Sequence, residues 1–154
     1  MNSEKFATAM IQNRLHFQPI QGRALDIIDA ILQAEEVASL GDALGCVRLV
    51  VEELVMNIVD YAYQEVTDGN AAVADYLDVE IGRDEESITL RFRDGGKPFN
   101  PLAKEQPDTS LPLEERRIGG LGIFLVIQKM DAVGYDYVDG ENVLTVTKKL
   151  SIKN

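Results

Sequence analysis

The chain has 154 residues, enough for one domain, 1–154, with a real core. Hydrophobic residues make up 45% and charged residues 27%, the balance of a soluble globular protein, and no apolar run approaches the length that spans a bilayer. The net charge of -11 argues against nucleic acid as a main partner, because phosphate backbones reward basic surfaces.

Met1 to Ala9 lacks the basic-then-apolar pattern of a signal peptide. Gln12 to Gln18 alternates enough to predict a strand, with His16, the only histidine, as a structural residue in it. Gly22 to Glu35 carries Leu25, Ile28 and Leu32 at helical spacing. Asp42 reads as the N-cap of a longer helix that runs to about Tyr63. The single cysteine, Cys46, lies among apolar residues of that helix and reads as a buried small hydrophobe. With no possible internal disulfide, the expectation is a cytoplasmic protein. From Glu52 to Glu86 there are eleven acids against one base, Arg83, which reads as a solvated face or as a surface that steers a basic partner.

Thr67 to Asn70 reads as a turn, and 76–82 and 87–93 as neighbouring strands with alternating polar and apolar residues. Residues 94–118 read as irregular, with Pro98, Pro101, Pro107 and Pro112. A loop of that length inside a compact domain is usually functional or mobile. Gly119 to Met130 reads as a helix with a glycine-rich start, and 133–138 and 143–151 as two closing strands. Phe17, Phe92 and Phe124 are core candidates. The predicted fold class is α+β: a two-layer sandwich, with helices packed on one face of a mixed β-sheet.

Three segments carry candidate chemistry. In the long helix, Val47, Val50, Leu54, Ile58 and Tyr61 form an apolar stripe, and about 100° per residue puts Glu53 and Asn57 together on its flank. Glu52 falls on the opposite, solvated side. The plain reading is a helix-surface hydrogen bond between Glu53 and Asn57. The functional reading is a hard amide ligand for magnesium at Asn57 and a proton acceptor at Glu53.

The second segment, Arg93-Asp94-Gly95-Gly96-Lys97-Pro98-Phe99, follows a predicted strand. Asp-Gly favours a hairpin, but two prolines in the next residues oppose regular pairing. A buried aspartate beside glycines that admit a flat ring suits adenine, whose exocyclic amino group it accepts. Guanine presents a carbonyl there and is rejected. Phe99 either packs on the base or joins the core. The third segment, Gly119-Gly120-Leu121-Gly122, opens a helix, where backbone amides bind anions and glycines let phosphate approach. Its spacing is neither a Walker loop nor a dinucleotide fingerprint, and it also fits a simple glycine turn. Arg116, Arg117, Lys97 and Lys104 are the nearby cations in sequence, and Thr109 and Ser110 lie in the intervening loop.

The order of these segments resembles the GHKL, or Bergerat, ATPase superfamily: an asparagine helix (Glu53 to Asn57), an Asp-x-Gly turn (Asp94 to Gly96), a flexible ATP lid (100–118) and a Gly-x-Gly loop (Gly120 to Gly122). Within it, the string Glu53, Asn57, Ala62, Tyr63, the run Gly120 to Val126, Met130-Asp131 and Thr147 to Leu150 are similar to the stand-alone anti-sigma factors with serine kinase activity, the RsbW type. The resemblance implies ATP and magnesium as cofactors, Asn57 as magnesium ligand and Glu53 as general base. It implies Asp94 as the adenine reader, with Gly96, Phe99, Gly119, Gly120, Leu121 and Gly122 at the nucleotide. It further implies a homodimer that phosphorylates a serine of an anti-anti-sigma (STAS-type) partner and binds a sigma factor. Two positions depart from the pattern. Tyr61 replaces a common histidine. Glu141-Asn142-Val143 replaces Gly-Thr-Thr, which removes a hydroxyl expected to help hold adenine and leaves Asn142 as its substitute. A nucleotide-gated binding module without transfer, and an ATP hydrolase, are the competing functions.

Overall fold

The computed structural model describes residues 11–63, 75–103 and 118–151, with residues 103 and 118–121 by their backbone alone. Five strands form one sheet: β1 (Ile11–Phe17), β2 (Leu77–Arg83), β3 (Ser87–Asp94), β4 (Ala132–Val138) and β5 (Glu141–Lys149). The helices are α1 (Ala24–Gln33), the short α2 (Glu35–Ala38), α3 (Leu44–Asn57) and α4 (Ile118–Lys129). The lid reading, 100–118, and the turn reading, Thr67 to Asn70, lie almost wholly outside the described residues. So do Lys104, Thr109, Ser110, Arg116 and Arg117.

The strand order is β1-β2-β3-β5-β4, and every pairing is antiparallel. The α+β class is as expected, but the expected mixed sheet is corrected. β3 and β4 do run in the same direction, joined through α4. The final hairpin then inserts β5 between them, so no parallel pair forms. That hairpin turns at Asp139 (φ 53°) and Gly140 (φ 81°), two positive angles that match the twist of the strands.

Alternation decides which face of the sheet is buried. Leu77, Val79 and Ile81 of β2, Ile88, Leu90 and Phe92 of β3, and Leu144 and Val146 of β5 point into the core. Helices α1, α3 and α4 supply the other half: Ile27, Ile28 and Ile31; Val47, Val50, Val51, Leu54 and Val55; Ile123 and Val126. Phe17 packs at the core's margin, while Phe124 is half-buried. Cys46 is half-buried rather than buried, its thiol near the Lys129 carbonyl oxygen. His16 pairs with Asp78 across the β1–β2 register on the opposite face, consistent with a structural residue.

Two helical readings shift in phase. In α1, Leu25 is 76% exposed, and the buried stripe is Ala24, Ile27, Ile28 and Ile31. Both stripes share Ile28, so spacing alone does not choose between them. In α3 the α-helix ends at Asn57 and continues as a π-helical turn, Ile58–Ala62. The wider turn advances the buried phase by one residue. Val59 is buried and Tyr61 is 41% exposed, the reverse of what a continuous α-helix requires. Asp42 is not the N-cap of α3: it sits inside a 3-10 turn, Gly41–Ala43, and Ala43 holds the cap position.

Candidate nucleotide site

The three segments converge at one end of the helical layer. Glu53 and Asn57 are half-buried on α3. Their expected helix-surface hydrogen bond does not form, and neither side chain has a hydrogen bond or ion pair among the described residues. Gly122, in the first turns of α4, faces Glu53 closely. A Cβ at Gly122 would lie 1.8 Å from Glu53 Oε2 and 2.5 Å from its Cδ. Only glycine there leaves the carboxylate room near the start of that helix, whose dipole favours negative charge. Gly119, Gly120 and Leu121 belong to the first turn of the same helix, which starts at Ile118. Glu52 pairs with Arg48 and its side chain is 47% exposed, so it is separated from Glu53 as the helical spacing requires.

Asp94 is the last residue of β3 and is 5% exposed. The hairpin alternative for Asp94-Gly95 fails, because β3 pairs with β5 and the chain leaves the sheet into 95–103. The Gly96 amide donates to Asp94 Oδ1 at 2.9 Å, and Asn142 Nδ2 donates to the same oxygen at 3.0 Å. Among the described residues no fully buried side-chain nitrogen or oxygen lacks a partner. Both bonds fall on Oδ1, and no described residue donates to Oδ2. Burial pushes the Asp94 carboxyl up from the ordinary carboxylate range; the bonds from Asn142 and Gly96 act against this, and the charge of Glu141 adds to it.

The π turn sets the distance between α3 and this aspartate. A Cβ at Gly96 would lie 2.3 Å from the Ala62 carbonyl oxygen, which also accepts a hydrogen bond from the Lys97 amide at 3.3 Å. Tyr63, next in the chain, uses its hydroxyl three times. It donates to the Tyr76 carbonyl at 2.7 Å and accepts from the Tyr76 and Gly95 amides at 3.1 and 2.7 Å. Burial raises its pKa to about 12, so it stays a neutral donor. Tyr76 in turn donates to Glu141, which Arg93 meets at 3.5 Å.

Phe99 is 37% exposed, so the core reading for its ring is wrong; its backbone amide donates to Asn142 Oδ1 at 3.0 Å and to the Tyr135 hydroxyl at 3.2 Å. The sequence reading missed Tyr135 and the hub role of Tyr63. The pair Ala62-Tyr63 was visible as part of a family string, but its hydrogen bonds depend on the π turn. Asn142 stands opposite Asp94 in the β3–β5 register.

The family model for the histidine kinase-like ATPase domain matches residues 18–148. The chain belongs to the histidine kinase-like ATPase family. It is 31% identical over 116 residues to a serine-protein kinase RsbW of Listeria monocytogenes, covering 73% of this chain and 69% of that protein. It is 28% identical over 99 residues to the serine/threonine-protein kinase BtrW of Bordetella bronchiseptica, covering 64% and 66%. The fold is similar to a chain in the crystal structure of the SiaB–SiaC complex from Pseudomonas aeruginosa, with TM-score 0.51, 18% identity and coverage of 96% and 95%. An ATPase domain of this family is built to use ATP, and the two curated relatives are named as protein kinases. No helix among the described residues is long and apolar enough to cross a membrane.

Proposed function

We propose that this chain is an ATP-dependent protein serine kinase that modifies a STAS-type anti-anti-sigma partner, and that it also sequesters a sigma factor, as a cytoplasmic homodimer. The observation that carries the kinase reading is the seat of Glu53: a carboxylate without a protein partner among the described residues, held against Gly122 at the head of α4, one helical turn from Asn57. The names of the relatives support the choice of serine as acceptor.

In this reading Asp94 Oδ2 accepts the 6-amino group of adenine, with Gly96 and Phe99 beside the base. The backbone of Gly119, Gly120, Leu121 and Gly122 meets the phosphates at the helix start. Asn57 is half-buried and its side chain has no hydrogen bond among the described residues; its carboxamide oxygen suits magnesium, which when bound would neutralise phosphate charge. Glu53 accepts the proton of the partner's serine hydroxyl as its oxygen bonds to the γ-phosphorus. The bond from that phosphorus to the β–γ bridging oxygen breaks, and ADP leaves.

The test mixes the protein, labelled ATP, magnesium and a STAS-domain protein encoded in the same genome. Label on a partner serine, lost in Glu53→Ala while nucleotide is still bound, is the expected result. Partner binding that depends on ATP and survives Glu53→Ala, with no label from wild type, would mean a binding module instead. Phosphate release at many turnovers without any partner would mean a hydrolase.

A further inference from the structure

Asn142 stands beside the proposed base site, and sequence reasoning takes it as a substitute contact to adenine. Its hydrogen bonds exclude that. The Nδ2 group has two protons, and its acceptors are the Lys97 carbonyl at 2.8 Å and Asp94 Oδ1 at 3.0 Å, with the Gly96 carbonyl at a longer 3.4 Å. The Oδ1 atom has two lone pairs, met by the Phe99 amide at 3.0 Å and by the Tyr135 hydroxyl. A carboxamide offers two donors and two acceptor sites, so none remains for a ligand. The orientation is fixed as well. Turning the amide over would set oxygen against the Asp94 carboxylate and NH2 against the Phe99 amide.

We propose that Asn142 is a positioning residue for base recognition: it locks the Asp94 carboxylate and the 96–99 turn so that Oδ2 alone is presented to a 6-aminopurine. This rests on the nucleotide reading above. The geometry joins three strands: Asp94 ends β3, Asn142 opposes it on β5, and Tyr135 orients the amide from β4. With Oδ1 already accepting from Gly96 and Asn142, a proton on the carboxyl would sit on Oδ2 and turn that atom into a hydroxyl, a far weaker acceptor for an amino group than the ionised oxygen. Burial opposes that charge, and Glu141 on β5 opposes it further; the Asn142 bond favours it. Tyr63 after the π turn and Tyr135 on β4 are the titratable neighbours from the other packed elements, with Lys97 in the turn itself. Removing the Asn142 bond raises the Asp94 pKa further, so acceptor function is lost at the acid end and regained as pH rises.

Calorimetry with ATP and with purine riboside triphosphate, which lacks only the 6-amino group, from about pH 5 to pH 9 tests this. Wild type should prefer ATP by about tenfold or more, the loss expected for one hydrogen bond to a charged group. In Asn142→Leu the preference should vanish at low pH and return at high pH, with its midpoint moved upward. Tyr135→Phe, a milder change that frees the amide, should move the midpoint in the same direction by less, and carries the test if Asn142→Leu does not fold. An unchanged preference and midpoint in the folded variants overturns this inference alone. No ATP binding by wild type overturns it together with the nucleotide reading.

Discussion

The two ends of the site are built differently. At the Asp94 end, each side chain is tied to others: Asp94 to Asn142, Asn142 to Tyr135 and the 97–99 backbone, Tyr63 to Gly95 and Tyr76. At the Glu53 end, two polar side chains share a helix face and make no hydrogen bond among the described residues. On the proposed nucleotide reading, a flat, uncharged base would need a rigid, pre-shaped slot with protein partners already in place, whereas phosphates and a cation would bring their own charge to groups that have no hydrogen bond among the described residues. The contrast is between preorganisation and reserved capacity, and each end should fail in its own way when altered.

The largest effect should come from the reserved end. Glu53→Ala should cut transfer to the partner by about 10²- to 10⁴-fold, with nucleotide affinity held, as read by labelled phosphate and calorimetry. Gly122→Ala should cut transfer by about 10²-fold, because the new methyl displaces the Glu53 carboxylate. Its melting temperature should move little, since a flexible side chain is what gives way. A large loss of stability would show that Gly122 is structural and separate from Glu53.

At the preorganised end, Gly96→Ala places a methyl against backbone, the Ala62 carbonyl, and should cost about 1–3 kcal/mol in denaturant unfolding. The smallest effect is on stability, and its sign is informative. Burial raises the Asp94 pKa in the fold, so its contribution to stability is present at low pH and is lost as pH rises through that pKa. Asp94→Asn keeps an oxygen for Gly96 and Asn142 and removes the charge. Its ligand-free melting temperature at pH 7 should therefore not fall below wild type, and differential scanning calorimetry from acid to neutral pH should show the wild type losing ground. A destabilised Asp94→Asn would mean that the charge is structural and that the slot is not held ready for a ligand.

The same contrast explains what could be read from the sequence. Glu53 and Asn57 lie four residues apart on one helix, so their shared face follows from periodicity. Asp94 announces itself by a strand that stops at glycines. The Asn142–Asp94 bond depends on the register of two strands separated by a helix and a hairpin, which no local pattern encodes. The π turn escaped for a different reason: Ile58 and Tyr61 continue the α-helical spacing, while the structure buries Val59. The sheet was expected to be mixed because α4 does link two co-directional strands. Only the insertion of β5 between them makes each pairing antiparallel.

Calorimetric titration of wild type and Asp94→Asn with ATP and GTP in the presence of magnesium tests most directly whether Asp94 reads the base of ATP. Wild type is expected to bind ATP at least about tenfold more tightly than GTP, and Asp94→Asn to lose most of the ATP affinity and the preference with it. Equal affinity of wild type for the two nucleotides, or ATP affinity unchanged by Asp94→Asn, would contradict it.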